Sequence, residues 1–172
     1  MEFGKSKRNF LPPRILIVDD HEIVREGIRN LIGKSRPDWI ICGEARNGRE
    51  AVGAVEKLNP DLVILDITMP AMSGLEAAAR IAKSCLRCRT LMFTMHESDS
   101  LEGEVRSAGA QGFVLKSQAA RNLIVAMETV LSGGTFFGVL GSIKSAPDAG
   151  VAMEKQAPLG IKSKSGDRII EN

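Results

Sequence analysis

Five short apolar runs, each followed by a segment of helical periodicity, recur between residues 14 and 137, and this alternation leaves few folds open. RILIV (14–18) is dense in branched aliphatic residues with no polar alternation, the pattern of a strand buried on both faces. Ile23, Val24, Ile28, Leu31 and Ile32 then recur at helical spacing until Arg36-Pro37-Asp38 breaks the pattern. Trp39 to Gly43, LVILD (62–66), TLMFT (90–94) and GFVLK (112–116) read as four further strands. Between them, Ala51, Val52, Val55 and Leu58 line a helix ending at Asn59-Pro60, and Leu75, Ala78, Ala79 and Ala82 line another. Residues 99–108 form a weaker helix, and Leu123, Ile124, Met127, Val130 and Leu131 stripe a last one. Repeated β-then-α units of this length predict an α/β fold, a parallel sheet covered by helices on both faces.

In such folds ligands sit at the carboxyl ends of the strands, so the residues there carry the functional reading. Strand one ends on Asp19-Asp20, strand three on Asp66, strand four on Thr94 and strand five on Lys116; strand two ends on no comparable group. Three clustered carboxylates raise one another's pKa unless a cation compensates. An acidic, oxygen-rich site with few protein ligands suits Mg²⁺. The metal would bridge carboxylates to a phosphoryl oxygen, with Lys116 on a second oxygen and the Thr94 hydroxyl on a third. The implied chemistry is phosphoryl transfer onto a carboxylate. Asp19-Asp20 alone would read as a helix cap; the company of Asp66 and Lys116 favours the metal.

Length and charge narrow the classes further. The 172 residues fit one ordinary domain plus a tail. Of the net +2, Lys5, Lys7 and Arg8 against Glu2 put +2 in residues 1–13, and five basic against four acidic side chains put +1 in 136–172. Residues 14–135 therefore carry −1, no excess of basic charge to draw them to nucleic acid. No apolar run reaches the ~18 residues that span a membrane, and there is no signal-peptide core. Three cysteines without a secretion signal point to a reducing cytoplasm.

VDDHEIVREG, LDITMPAMSG, FTMHE and AGAQGFVLKS together resemble the receiver domain of bacterial two-component response regulators, the CheY-like family. The resemblance covers roughly residues 14–135. MPAMSG, Met95 after the threonine, and Ser117 after Lys116 are most similar to the NarL/FixJ/LuxR subfamily. It implies a single doubly wound sheet of five parallel strands in the order 2-1-3-4-5. It also implies that Asp66 is the phosphoacceptor for a histidine kinase or phosphotransfer protein, that Asp20 binds Mg²⁺ directly and that Asp19 does so largely through water. Thr68 would offer the metal its main-chain carbonyl, and Thr94 would be the switch hydroxyl paired with Lys116. Phe113 falls at the switch aromatic, against a plain core role, and lacks the hydroxyl of a tyrosine. The family's responding surface maps to residues 98–132 and its kinase-facing surface to about 21–32, with homodimerisation on phosphorylation an accompanying expectation.

Other readings fit less well. A haloacid-dehalogenase-type phosphatase needs an aspartate two residues after its nucleophile, where this chain has Thr68. A flavodoxin-like nucleotide binder needs a Ser/Thr/Gly-rich loop after strand one, where Asp-Asp would repel phosphate. A pseudo-receiver, a binding module that never takes phosphate, stands as the alternative. Cys85-Leu86-Arg87-Cys88 has the spacing of half a zinc site or a redox pair, but with no second pair incidental thiols are the better reading. His21 reads as a solvated helix-start residue. Residues 1–13 read as a flexible leader. Residues 136–172, rich in Gly, Ser, Pro and Lys, read as a poorly ordered tail without the helix-turn-helix that would contact DNA.

Overall fold

The computed structural model describes residues 11–137; the expectations for residues 1–10 of the leader and for the tail beyond Phe137 lie outside them. The chain runs β1 (Arg14–Val18), α1 (Glu22–Ser35), β2 (Ile40–Ala45), α2 (Gly48–Leu58), β3 (Leu62–Asp66), α3 (Gly74–Ser84), β4 (Arg89–Thr94), α4 (Leu101–Ser107), β5 (Gly112–Leu115), a 3₁₀ turn (Lys116–Gln118), α5 (Ala119–Leu131) and β6 (Phe136–Phe137). The strands pair in parallel in the order β2-β1-β3-β4-β5-β6. This is the expected doubly wound sheet, with one strand more than the five foreseen.

Alternation along the strands divides the core in two, because successive side chains point to opposite faces. Leu16, Val18, Val63, Leu65 and Met92 pack under α2, α3 and α4 with Val55, Ile81 and Val105. Ile15, Ile17, Leu62, Ile64, Leu91 and Phe93 pack under α1 and α5 with Ile28, Ile32, Leu123 and Met127. Both faces are covered, which is why these strands read as unbroken apolar runs.

Local chemistry sets the helix ends. The Asn47 side chain accepts from the Glu50 amide at 2.9 Å, while Glu50 accepts from Asn47 Nδ2 at 3.0 Å, so the two side chains close the start of α2 on each other. Ser73 accepts from the Glu76 amide at 3.2 Å at the start of α3. The end of α2 turns through Asn59 at φ 46°, a left-handed conformation that asparagine tolerates.

The sixth strand comes from a reversal the sequence reading did not foresee. After α5 the chain turns at Gly133 (φ 90°) and lays Phe136 and Phe137 beside Gly112 and Phe113. Gly112 permits the approach: a Cβ there would lie 2.0 Å from the Phe136 carbonyl oxygen. At two residues, β6 carries no periodicity to detect.

Candidate functional site

Strand register gathers the polar strand ends. Val18 pairs with Leu65, Asp66 with Phe93, and Thr94 with Leu115, so Asp19, Asp66, Thr94 and Lys116 follow at the same edge of the sheet. Lys116 stands one residue past β5, opening the 3₁₀ turn rather than ending the strand.

Asp19 is fully buried. Its Oδ1 accepts from the His21 amide at 2.9 Å, and its Oδ2 lies 2.6 Å from Lys116 Nζ. That ammonium is out of line for a hydrogen bond, so Oδ2 has a counter-charge but no aligned donor. Asp66, 4% exposed, lies with Oδ2 3.2 Å from the same ammonium. Burial pushes the Asp66 carboxyl above its usual range. Lys116 opposes that rise, the Asp19 charge adds to it, and the Thr68 amide, donating to Asp66, also opposes it. The Asp20 side chain remains partly open to solvent, with Oδ1 2.9 Å from His21 Nδ1.

The cap reading of the acidic pair does not hold, since His21 is the N-cap residue of α1 and makes no side-chain cap hydrogen bond. Instead, ligand atoms of Asp19, Asp20, His21 and Asp66 all lie within 4.8 Å of one another. Two of the three carboxylates contact the one lysine, and the buried Asp19 Oδ2 lacks an aligned donor. This acidic pocket is compatible with Mg²⁺, which takes oxygen ligands and keeps several waters. His21, set aside in the sequence reading, is thus drawn into the cluster.

The remaining candidates sit around this centre. The Thr94 hydroxyl is buried and accepts from the His96 amide at 3.1 Å. Thr68 is exposed, in the loop that follows β3. Phe113 is half-buried and meets Phe137 edge-on, ring centroids 6.2 Å apart, and the Arg106 guanidinium covers Phe137 at 3.6 Å. Gly74, the first residue of α3, supports the centre directly. A Cβ there would lie 1.9 Å from the Asp66 carbonyl oxygen, and its amide donates to the Ile67 carbonyl at 2.8 Å.

Arg25 was missed. It lies on the buried stripe of α1 with Ile28 and Ile32, donates to the Asp19 carbonyl at 2.7 Å and to Glu44 at 2.8 Å, and is itself buried. An arginine in phase with two core isoleucines was the available signal. The C-x-x-C holds free thiols at the opposite end of the sheet, where burial pushes the Cys88 thiol up to about 12.

Comparison with known proteins agrees with this geometry. The family model described as the response regulator receiver domain matches residues 15–128. The chain is 36% identical over 124 residues to the nitrate/nitrite response regulator protein NarL of Escherichia coli (strain K12), covering 71% of this chain and 56% of that protein. It is 33% identical over 123 residues to the transcriptional regulatory protein DegU of Brevibacillus brevis, covering 72% and 52%. The chain spans about half the length of the curated relatives it matches. Among solved structures it is similar to a LuxR-family two-component response regulator from Aurantimonas sp. SI85-9A1, with TM-score 0.69, 38% identity, and 73% of this chain and 89% of that one covered. The signal receiver domain of the response regulator NarL from Mycobacterium tuberculosis gives TM-score 0.67 at 29% identity, covering 71% and 98%. No helix among the described residues is long and apolar enough to cross a membrane.

Proposed function

The chain belongs to the response regulator receiver domain family, and on that premise we propose that it is a phosphoacceptor of a two-component phosphorelay, with Asp66 as the residue that takes the phosphoryl group. The observation that carries this reading is the unbalanced site, in which the buried Asp19 and Asp66 share the single ammonium of Lys116 while Asp20 lies in the same cluster without it.

In the proposed reaction an Asp66 carboxylate oxygen attacks the phosphorus of a phosphohistidine on a histidine kinase or phosphotransfer protein. The P–N bond breaks, its electron pair stays on the imidazole nitrogen, and that nitrogen takes up a proton. The product is an acyl phosphate on Asp66. Asp19, Asp20, Asp66 and the Thr68 main-chain carbonyl would hold Mg²⁺, and the ion would supply neutralisation of the charge on the phosphoryl oxygens. Lys116 gives up its Asp66 contact to a phosphoryl oxygen. The Thr94 hydroxyl leaves the His96 amide for another, and Phe113 turns with it. For phosphorylation to shift the populations, the two states differ by only a few kcal/mol.

We assign residues 14–137 to this receiver, two beyond the expected 135 because β6 joins its sheet, and place its work in the cytoplasm. Its output is a change in partner or self-association, serving transcriptional control as in its subfamily. The test is incubation with Mg²⁺ and acetyl phosphate followed by intact mass, with Asp66→Asn alongside. A phosphate-sized gain abolished by chelation and by the substitution is expected; no gain under any condition would make this a phosphorylation-independent binding module.

A further inference from the structure

Arg25 is the only buried arginine among the described residues, at 4% exposure. A guanidinium keeps its proton, so burying one demands partners on every side. Here Nη1 donates to the Asp19 main-chain carbonyl at 2.7 Å and Nε to Glu44 Oε2 at 2.8 Å, while Arg29 pairs with the other Glu44 oxygen. The carbonyl it grips belongs to the peptide joining Asp19 to Asp20. From the other side, the Asp19 amide donates to the Ala45 carbonyl at 3.2 Å. The Asp19 backbone is thereby tied to β2 on both sides of its Cα, by its amide directly and by its carbonyl through Arg25 and Glu44, next to a side chain, Asp20, that is otherwise partly open to solvent.

Stability alone does not account for an arginine at this position. It shares the core stripe of α1 with Ile28 and Ile32, and replacing a buried ion pair with apolar groups is often neutral or stabilising. A methionine would fill the same stripe. What only the arginine provides is a donor aimed at the Asp19–Asp20 peptide.

We propose that Arg25 is a positioning residue for phosphoryl transfer: its buried guanidinium locks the Asp19–Asp20 peptide to Glu44 of β2 and so presents both carboxylates to one divalent cation. The proposal rests on the receiver reading given above. Supporting groups behind metal ligands typically account for 10–100-fold in metal affinity, which sets the expected scale.

The experiment is calorimetric titration of the unphosphorylated protein with Mg²⁺, paired with the rate of acetyl-phosphate labelling as a function of Mg²⁺ concentration. For Arg25→Met we expect a folded protein whose Mg²⁺ affinity falls about tenfold, and whose labelling rate recovers towards the original at saturating Mg²⁺. Arg25→Lys, with one donor left for the Asp19 carbonyl, recovers part of the loss. Glu44→Ala, which frees the guanidinium from β2 at a partly exposed position, weakens binding in the same direction and serves if Arg25→Met does not fold. Val130→Ala, a core truncation on α5, lowers the melting temperature and leaves Mg²⁺ affinity unchanged. Original affinity in folded Arg25→Met, or in Glu44→Ala should the former not fold, overturns the positioning role alone. If the unsubstituted protein binds no Mg²⁺ and takes no phosphate, the receiver reading fails and this inference falls with it.

Discussion

The two edges of the sheet use the same residue types and leave them in opposite states. At the amino edge, Asp61 accepts from the Arg14 amide at 2.8 Å, and Arg14 in turn donates to the Leu58 carbonyl at 3.0 Å. Arg36 joins Asp38 and Glu128 and lies 4.6 Å above the Trp39 ring; its hydrogen bond holds the Asp38 carboxyl below the usual range. At the carboxyl edge the partners run out: Lys116 serves two buried carboxylates, and the Asp66 carboxyl is pushed up instead of down. Backbone strain divides the same way. The left-handed residue at the amino edge is Asn59, which tolerates that conformation, whereas the loop after β3 places Ala71 at φ 67°, which alanine does not. Charges at the amino edge find partners, and those left in excess at the carboxyl edge coincide with the place proposed for a cation and a phosphoryl group.

The largest way to break this contrast is Asp66→Asn, for which we expect complete loss of phosphoryl uptake by intact mass with the fold retained. The same substitution has a signed effect on stability. Burial raises the Asp66 carboxyl in the folded state, so its contribution is fully present below the unfolded pKa and is lost as pH rises through the folded one. In chelator, Asp66→Asn should therefore match the original in acid and become the more stable protein near neutrality, read by urea melts across pH. Lys116→Ala strands two buried carboxylates and should cost about 3 kcal/mol in chelator, with much of the loss restored by Mg²⁺. Mg²⁺ at a hundred times its dissociation constant should stabilise the original protein by about 2.7 kcal/mol, and Asp20→Asn should remove most of that. At the amino edge, Asp61→Ala should cost about 1.5 kcal/mol whether or not Mg²⁺ is present; a Mg²⁺-dependent loss there would erase the distinction between the edges. The smallest effect sharpens it: Ala71→Gly should gain about 1 kcal/mol by relieving the left-handed alanine, measured as a rise in the urea midpoint.

Much of this was legible before any coordinates. Strands β1, β3 and β4 are buried on both faces, so their residues have no reason to alternate and stand out as apolar runs. The acidic pair, Asp66, Thr94 and Lys116 were legible because each follows directly on such a run. What escaped depends on tertiary approach. β6 exists because Gly112 lets another backbone near, and two residues carry no period. α4 covers only Leu101–Ser107 of the expected 99–108, and its N-cap residue Ser100 makes no side-chain cap hydrogen bond. Arg25 was hidden by its charge, since a helix stripe is read by its apolar members. His21 depends on the turn in which its own amide binds Asp19, a geometry its position in the chain does not announce.

The most direct test of the central claim is to trap the phosphoryl group where it sits. After labelling with acetyl phosphate and Mg²⁺, borohydride reduction converts an aspartyl phosphate to homoserine, and peptide mass spectrometry locates it. The account predicts homoserine at position 66 and nowhere else, absent when Mg²⁺ is chelated. Modification at Asp19 or Asp20, phosphate carried on His21, or an unmodified Asp66 after exhaustive labelling would contradict it.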